Sequence, residues 1–213
     1  MTGGLIGYIE TNGVVTSETG GTITELKNNG EIGTLGTALG TMSSGTITTV
    51  DVLGTVNSVT GGIITTLDGI IATLTNGTVR LVNNKITQMN GGTVDAVSNT
   101  GFIKTQSGGL VTNMAGNVET LTAGTITNVT GTVDTMTGGT VANLKTDGLI
   151  TDMSGGKVTS MTDGDITTLS GGEVVTKSGG TIATLSNTGL VTTMSGGNIE
   201  SMIGGTVSNL TGG

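Results

Sequence analysis

Few side chains in this sequence could do chemistry, and the closest pair is Asp163 and Asp165, in TDGDI. Two carboxylates flanking a glycine in a tight corner could share a proton as general acid and base, or supply half of a calcium site. The plainer reading, two solvated turn aspartates, fits the spacing better, because no third ligand accompanies them. The sequence holds no His and no Cys. That removes the commonest general base, the strongest nucleophile, disulfides and zinc–thiolate sites together. Arg80 is the single Arg, and Lys85 and Lys104 are isolated, so the convergent acidic and basic face of a polysaccharide lyase is missing. No Gly-Gly leads into the x-Gly-x-Asp of calcium-binding nonapeptides, and no G-x-x-x-x-G-K-[ST] opens a helix to cradle a phosphate. The sequons at Asn76, Asn128 and Asn209 are expected by chance in a chain so rich in Asn and Thr. The expectation is therefore of no catalytic, metal-binding or cofactor-binding residue, no cofactor, and no enzyme.

The elements that would position any such residues are short and repeated. Between Ala123 and Leu144, AGTITNVTGTVDTMTGGTVANL is three copies of one unit: Gly, Thr, a β-branched residue, two small or polar residues, and a second apolar residue. The apolar pairs are Ile126/Val129, Val133/Met136 and Val141/Leu144. The first apolar positions run from Ile9, Val15 and Ile23 to Val191, Ile199 and Val207, in steps of about eight residues. Gly breaks every segment, so no helix of useful length survives. Each unit reads as a strand with a glycine corner, its β-branched residue inward and its neighbours outward. The second apolar residue breaks strict alternation and is expected past a bend, also facing inward. A longer period relates Ile9, Val56, Ile103 and Ile150, which are 47 residues apart. The expected blocks are 9–55, 56–102, 103–149, a five-unit copy 150–190 and a partial copy 191–213, in one domain spanning 1–213.

Composition agrees with a coil built from small side chains. The 213 residues include 41 Gly and 47 Thr, no Pro, no Trp, one Tyr (Tyr8) and one Phe (Phe102). Regular Ile/Val spacing argues against a disordered Gly-rich linker, and the lack of Pro and of Gly at every third position excludes collagen. The fold class is thus all-β, a single-chain parallel β-solenoid. Six units in 47 residues suit two three-sided coils of about 24 residues, and the two-sided coil of about 16 residues is the alternative. The three-sided form would give about nine coils spanning roughly 40 to 45 Å. The five-unit copy fits neither form, so an irregularity is expected near Gly171 to Gly180. An ice-binding face needs Thr at one position on successive coils. On three sides that row reads Thr22, Thr46, Ile70, Thr93, Asn117, Thr140, Asp165 and Leu190, broken by the last two, so ice binding is a less favoured role than filament or adhesin.

The net charge of −8 argues against a nucleic-acid partner. No apolar run reaches the ~18 residues of a membrane helix, so membrane insertion is not expected. MTGGLIGYIE has neither the basic region nor the apolar run of a secretory signal. The repeat begins within ten residues and stops in mid-pattern at SNLTGG, without a capping helix. Open solenoid ends seek another chain, and head-to-tail stacking would grow a filament. The GG-T-[IV]-x-x-[LM] repeat resembles the β-solenoids of surface adhesins, phage fibres and bacterial appendages. That resemblance is architectural and implies a robust extracellular shaft on a cell, spore or virion surface, released by lysis where no export signal exists. The leading expectation is a structural subunit of a self-assembling filament whose partner is another copy of itself, with a cell-surface or virion anchor protein as a further candidate partner. The alternative is a fibre or adhesin shaft that binds a receptor or glycan, for which Tyr8 and Phe102 alone are a poor aromatic cluster.

Overall fold

A computed structural model describes residues 2–212, with side chains described from Gly4. Every described element is a strand, and every ladder is parallel. Each strand pairs with the next but one: Thr55–Val59 with Ile70–Leu74, and Ile63–Leu67 with Thr78–Val82. Two strands therefore complete one coil, and the coil has two sides of about 16 residues in all. The three-sided expectation is corrected. Thirteen coils stack two sheets back to back, a first sheet beginning at Thr2–Ile9 and a second at Val14–Glu18. At ~4.8 Å per coil the stack is about 60 Å tall. The long strands Phe102–Met114 and Asn117–Val129 run through a corner and so belong to both sheets.

The physical reason for two sides lies in the size of the inward residues. Two parallel sheets face one another across roughly 10 Å, a gap that Val, Ile, Leu and Met fill from both sides. Neither Phe102 nor Tyr8 points inward, so the apolar core is built of Val, Ile, Leu and Met alone. Within each five-residue segment between the terminal coils the second and fifth positions are buried, as in Thr46–Val50, where Ile47 and Val50 are inaccessible. The ladder skips the third residue: Thr46, Ile47, Thr49 and Val50 pair with Ile63, Ile64, Thr66 and Leu67. The bend falls there and turns the fifth residue back into the core.

The two inward positions take different residues for a reason. The second is almost always β-branched and lies in the flat of the sheet. The fifth precedes the corner, where a longer unbranched side chain can curl into the rounded edge. Apart from Met1, every Met occupies it: Met42, Met89, Met114, Met136, Met153, Met161, Met194 and Met202. Gly62 shows the fit. Its φ is +88°, and a Cβ there would meet the Met42 Cε at 2.6 Å and the Gly45 carbonyl oxygen at 2.7 Å. Glycine is required twice over, for the left-handed backbone and for the methionine methyl beneath it.

Coil length varies with the corners, which have two to four residues. Val56, Ile71, Ile86 and Ile103 stack on successive coils, so this 47-residue step is three coils of 15, 15 and 17 residues. Ile9 pairs with Leu26 and takes the fifth position of its segment. Ile6, opposite Ile23, takes the second, which corrects the reading of Ile9 as a first apolar residue. The expected irregularity near Gly171 to Gly180 is absent, since Val158, Val174 and Val191 follow one another in unbroken register. The four residues SNTG form a corner before Phe102 in the first sheet and another before Leu190 in the second, so one corner sequence serves opposite edges of the coil.

Candidate functional site

Asp163 and Asp165 lie at a corner one coil before a third charged group, Lys177. Asp163 and Asp165 flank Gly164 where the chain turns from Lys157–Met161 to Asp165–Leu169. Both are exposed. The Asp163 Oδ2 accepts the Thr146 hydroxyl at 2.9 Å, and the Asp165 Oδ1 accepts the Thr181 backbone N–H at 2.8 Å. One coil further on, Lys177 occupies the fifth position of Glu173–Lys177 and is wholly buried. It stands between Met161 and Met194 in the ladder, and its chain takes the path a methionine takes elsewhere. The Nζ reaches into the corner Ser178–Gly180, where it donates to the carbonyls of Gly179 at 2.8 Å and Gly180 at 2.5 Å. Burial pushes its pKa below the ordinary lysine value, and the Asp165 charge partly restores it.

This arrangement ties corners together rather than presenting a reactive centre. The ammonium has no exposed surface and its hydrogen bonds are spent on main-chain carbonyls. Each aspartate holds a different neighbouring coil, Asp163 the one before and Asp165 the one after. A shallow open dent of ≈ 270 Å³ on the first sheet is lined by Leu149, Asp165, Thr181, Ala183 and Glu200 among others, without an enclosing wall. Among the described residues no three His, Cys, Asp or Glu gather in a metal-holding group. Among the described residues no helix is long and apolar enough to cross a membrane.

Among the described residues, Gln106 and Glu18 are the other two buried polar side chains, each at a fifth position. The Gln106 Nε2 donates to the Thr125 carbonyl at 3.3 Å, while its Oε1 has no hydrogen-bond partner among the described residues. The sequence carried a signal for all three. Counting three residues on from Val15, Ile103 and Val174 lands on Glu18, Gln106 and Lys177 in place of Leu, Met or Val.

The outward residues are dispersed. Lys27 lies over the Tyr8 ring at 4.0 Å and pairs with Glu10 at 3.1 Å; Lys85 lies 5.7 Å over Phe102. The Glu10 hydrogen bond raises the Lys27 pKa. Tyr8 and Phe102 are six coils apart and form no cluster, and Arg80 lies on the second sheet while Lys85 and Lys104 lie on the first. The row tested for ice binding splits between the sheets: Thr22, Ile70, Asn117 and Asp165 on the first, Thr46, Thr93, Thr140 and Leu190 on the second. Asn113, Asn128 and Asn143 form an amide ladder, with Nδ2 to Oδ1 distances of 3.0 and 3.3 Å, so the sequon residue Asn128 is already engaged. Asn76 and Asn209 are exposed.

Among the described residues, the terminal coils carry several exposed apolar side chains. On the last coil Met202, Ile203 and Leu210 are 54%, 76% and 67% exposed, and Ile199 and Val207 are only partly buried. Met194, Ile199, Met202, Val207 and Leu210 line a hollow of ≈ 380 Å³ at the open end of the core. On the first coil Leu5, Tyr8 and Val14 are exposed, with Ile6 and Val15 partly buried behind them. No family model, no curated protein and no solved structure matches the chain.

Proposed function

We propose that this chain is the structural subunit of a self-assembling extracellular filament or appendage, in which each copy continues the coil of the one before. The observation that carries this reading is the pair of apolar, one-sidedly paired terminal coils. Asn198–Met202 and Thr206–Leu210 pair only with Thr181–Leu185 and Leu190–Met194 among the described residues. Thr2–Ile9 and Val14–Glu18 pair only with Gly20–Leu26 and Glu31–Leu35. Unpaired parallel edges of this kind seek another strand.

The main chain supports one polarity. At the corners, N–H groups donate to the preceding coil: Lys27 to Ile9 O at 3.0 Å, Gly36 to Glu18 O at 2.6 Å, Ile203 to Leu185 O at 2.9 Å. The corresponding acceptors on the last coil are the Met202 and Leu210 carbonyls, and the corresponding donors on the first are Glu10 and Thr19. The last coil thus suits the first coil of another copy, while two like ends set donor against donor or acceptor against acceptor. Thirteen whole coils also bring the chain back to its starting sheet. The strand Thr2–Ile9 of a second copy falls on Asn198–Met202, with Ile6 over Ile199 and Ile9 over Met202. Such a heterologous contact leaves a fresh end and grows without closing.

Extracellular placement rests on the architectural resemblance to adhesin, fibre and appendage solenoids. The test is negative-stain microscopy and sedimentation of the purified chain over a concentration series. Unbranched filaments about one solenoid wide are expected. A monomer persisting at millimolar concentration ends the proposal.

A further inference from the structure

The corner after the last strand and the corner before the first strand claim the same place in the coil. The Thr211 N–H donates to the Met194 carbonyl at 2.9 Å, as Ser195 does to Lys177 and Ser178 to Met161 on earlier coils. Thr211 and Gly212 therefore begin the next corner at that edge, over Ser195–Gly197. At the opposite end, Thr2 pairs with Gly20, and Gly4 lies against Gly21. The segment Thr2–Gly4 thus forms the corner beneath Thr19–Gly21, at the same edge of the coil. Residues 2–4 and 211–213 share one sequence, Thr-Gly-Gly.

When the first coil of an incoming copy lands on the last coil of another, both segments compete for the single place over Ser195–Gly197. We infer that the seam accepts the incoming Thr2–Gly4 and displaces the resident Thr211 corner, so the chain's own last corner holds back its assembly. This rests on the filament reading above. The occupant is a second copy, because the seam would be one more instance of a coil-on-coil interface that the chain already makes between each pair of successive coils. The last corner is the one that yields. Its described ties are the Thr211 N–H and hydroxyl, both to the Met194 carbonyl, the hydroxyl at 3.4 Å. The segment Thr2–Gly4 is continuous with a paired strand.

The experiment compares the full chain with a chain ending at Leu210 and with Thr211→Pro, which removes the donor without shortening the chain. Circular dichroism checks that each keeps its β signature. The concentration at which filaments appear should fall about fivefold, the worth of one net backbone hydrogen bond. A fall in either folded variant supports the competition. An unchanged or raised threshold in both, with filaments still formed by the full chain, overturns it and leaves the filament reading standing. Failure of all three chains to assemble overturns both.

Discussion

Lys177 shows how a single residue can be judged against its row. It occupies a methionine's place, with Met161 and Met194 on either side, and keeps its ammonium dry by giving its protons to corner carbonyls. Its pKa in the folded chain lies below the unfolded value, so between those two values the unfolded chain binds more protons. Stability therefore rises with pH through that window, and the penalty is present in full below the folded pKa. Lys177→Met should stabilise the chain by about 1–4 kcal/mol at neutral pH and flatten the alkaline rise. Urea midpoints at pH 7, 9 and 10 measure both effects, and a lower midpoint in the variant at pH 7 would show that the ammonium helps to hold the corner. Gly62 tests the opposite case. Gly62→Ala places a Cβ at positive φ and against the Met42 methyl. A loss of at least ~2 kcal/mol is expected, read from the same midpoints.

At the scale of the element, strands and corners differ in tolerance. The corner Asp51–Gly54 already has four residues, and Val52 and Leu53 stand 64% and 78% exposed. Two residues inserted between them lengthen a surface loop at a cost below ~1 kcal/mol. One residue inserted between Ile47 and Val50 moves a buried side chain to the outside and breaks the stacking of that segment on both neighbours. Limited proteolysis should leave the first variant intact and open the second near the insertion. Equal sensitivity would mean that corner geometry is as constrained as strand register.

At the scale of the molecule, the filament proposal turns on the two ends. Copies carrying Tyr8→Cys mixed with copies carrying Ser201→Cys should form disulfide-linked pairs under mild oxidation. In the continued register these positions lie on adjacent coils, about 5 Å apart, within disulfide range. A mixture that assembles without cross-linking would place the seam in another register. Leu210→Asp with Met202→Asp puts two charges on the exposed end of the core, and filament growth should fall at least tenfold while the monomer stays folded.

The sequence alone determined the strand, the corner and the identity of most inward positions, because those depend on residues five to eight apart. The β-branched spacing and the returning glycines specify a segment wherever it falls. It also carried, unread, the substitutions at Glu18, Gln106 and Lys177. It could not determine how many segments close a coil, since six units divide evenly into two coils or three. That choice appears only in the ladder, where each segment pairs with the next but one across long sequence separations. Nor could spacing place Asp163 and Asp165 beside Lys177, because only the stacking of one corner on the next brings them together.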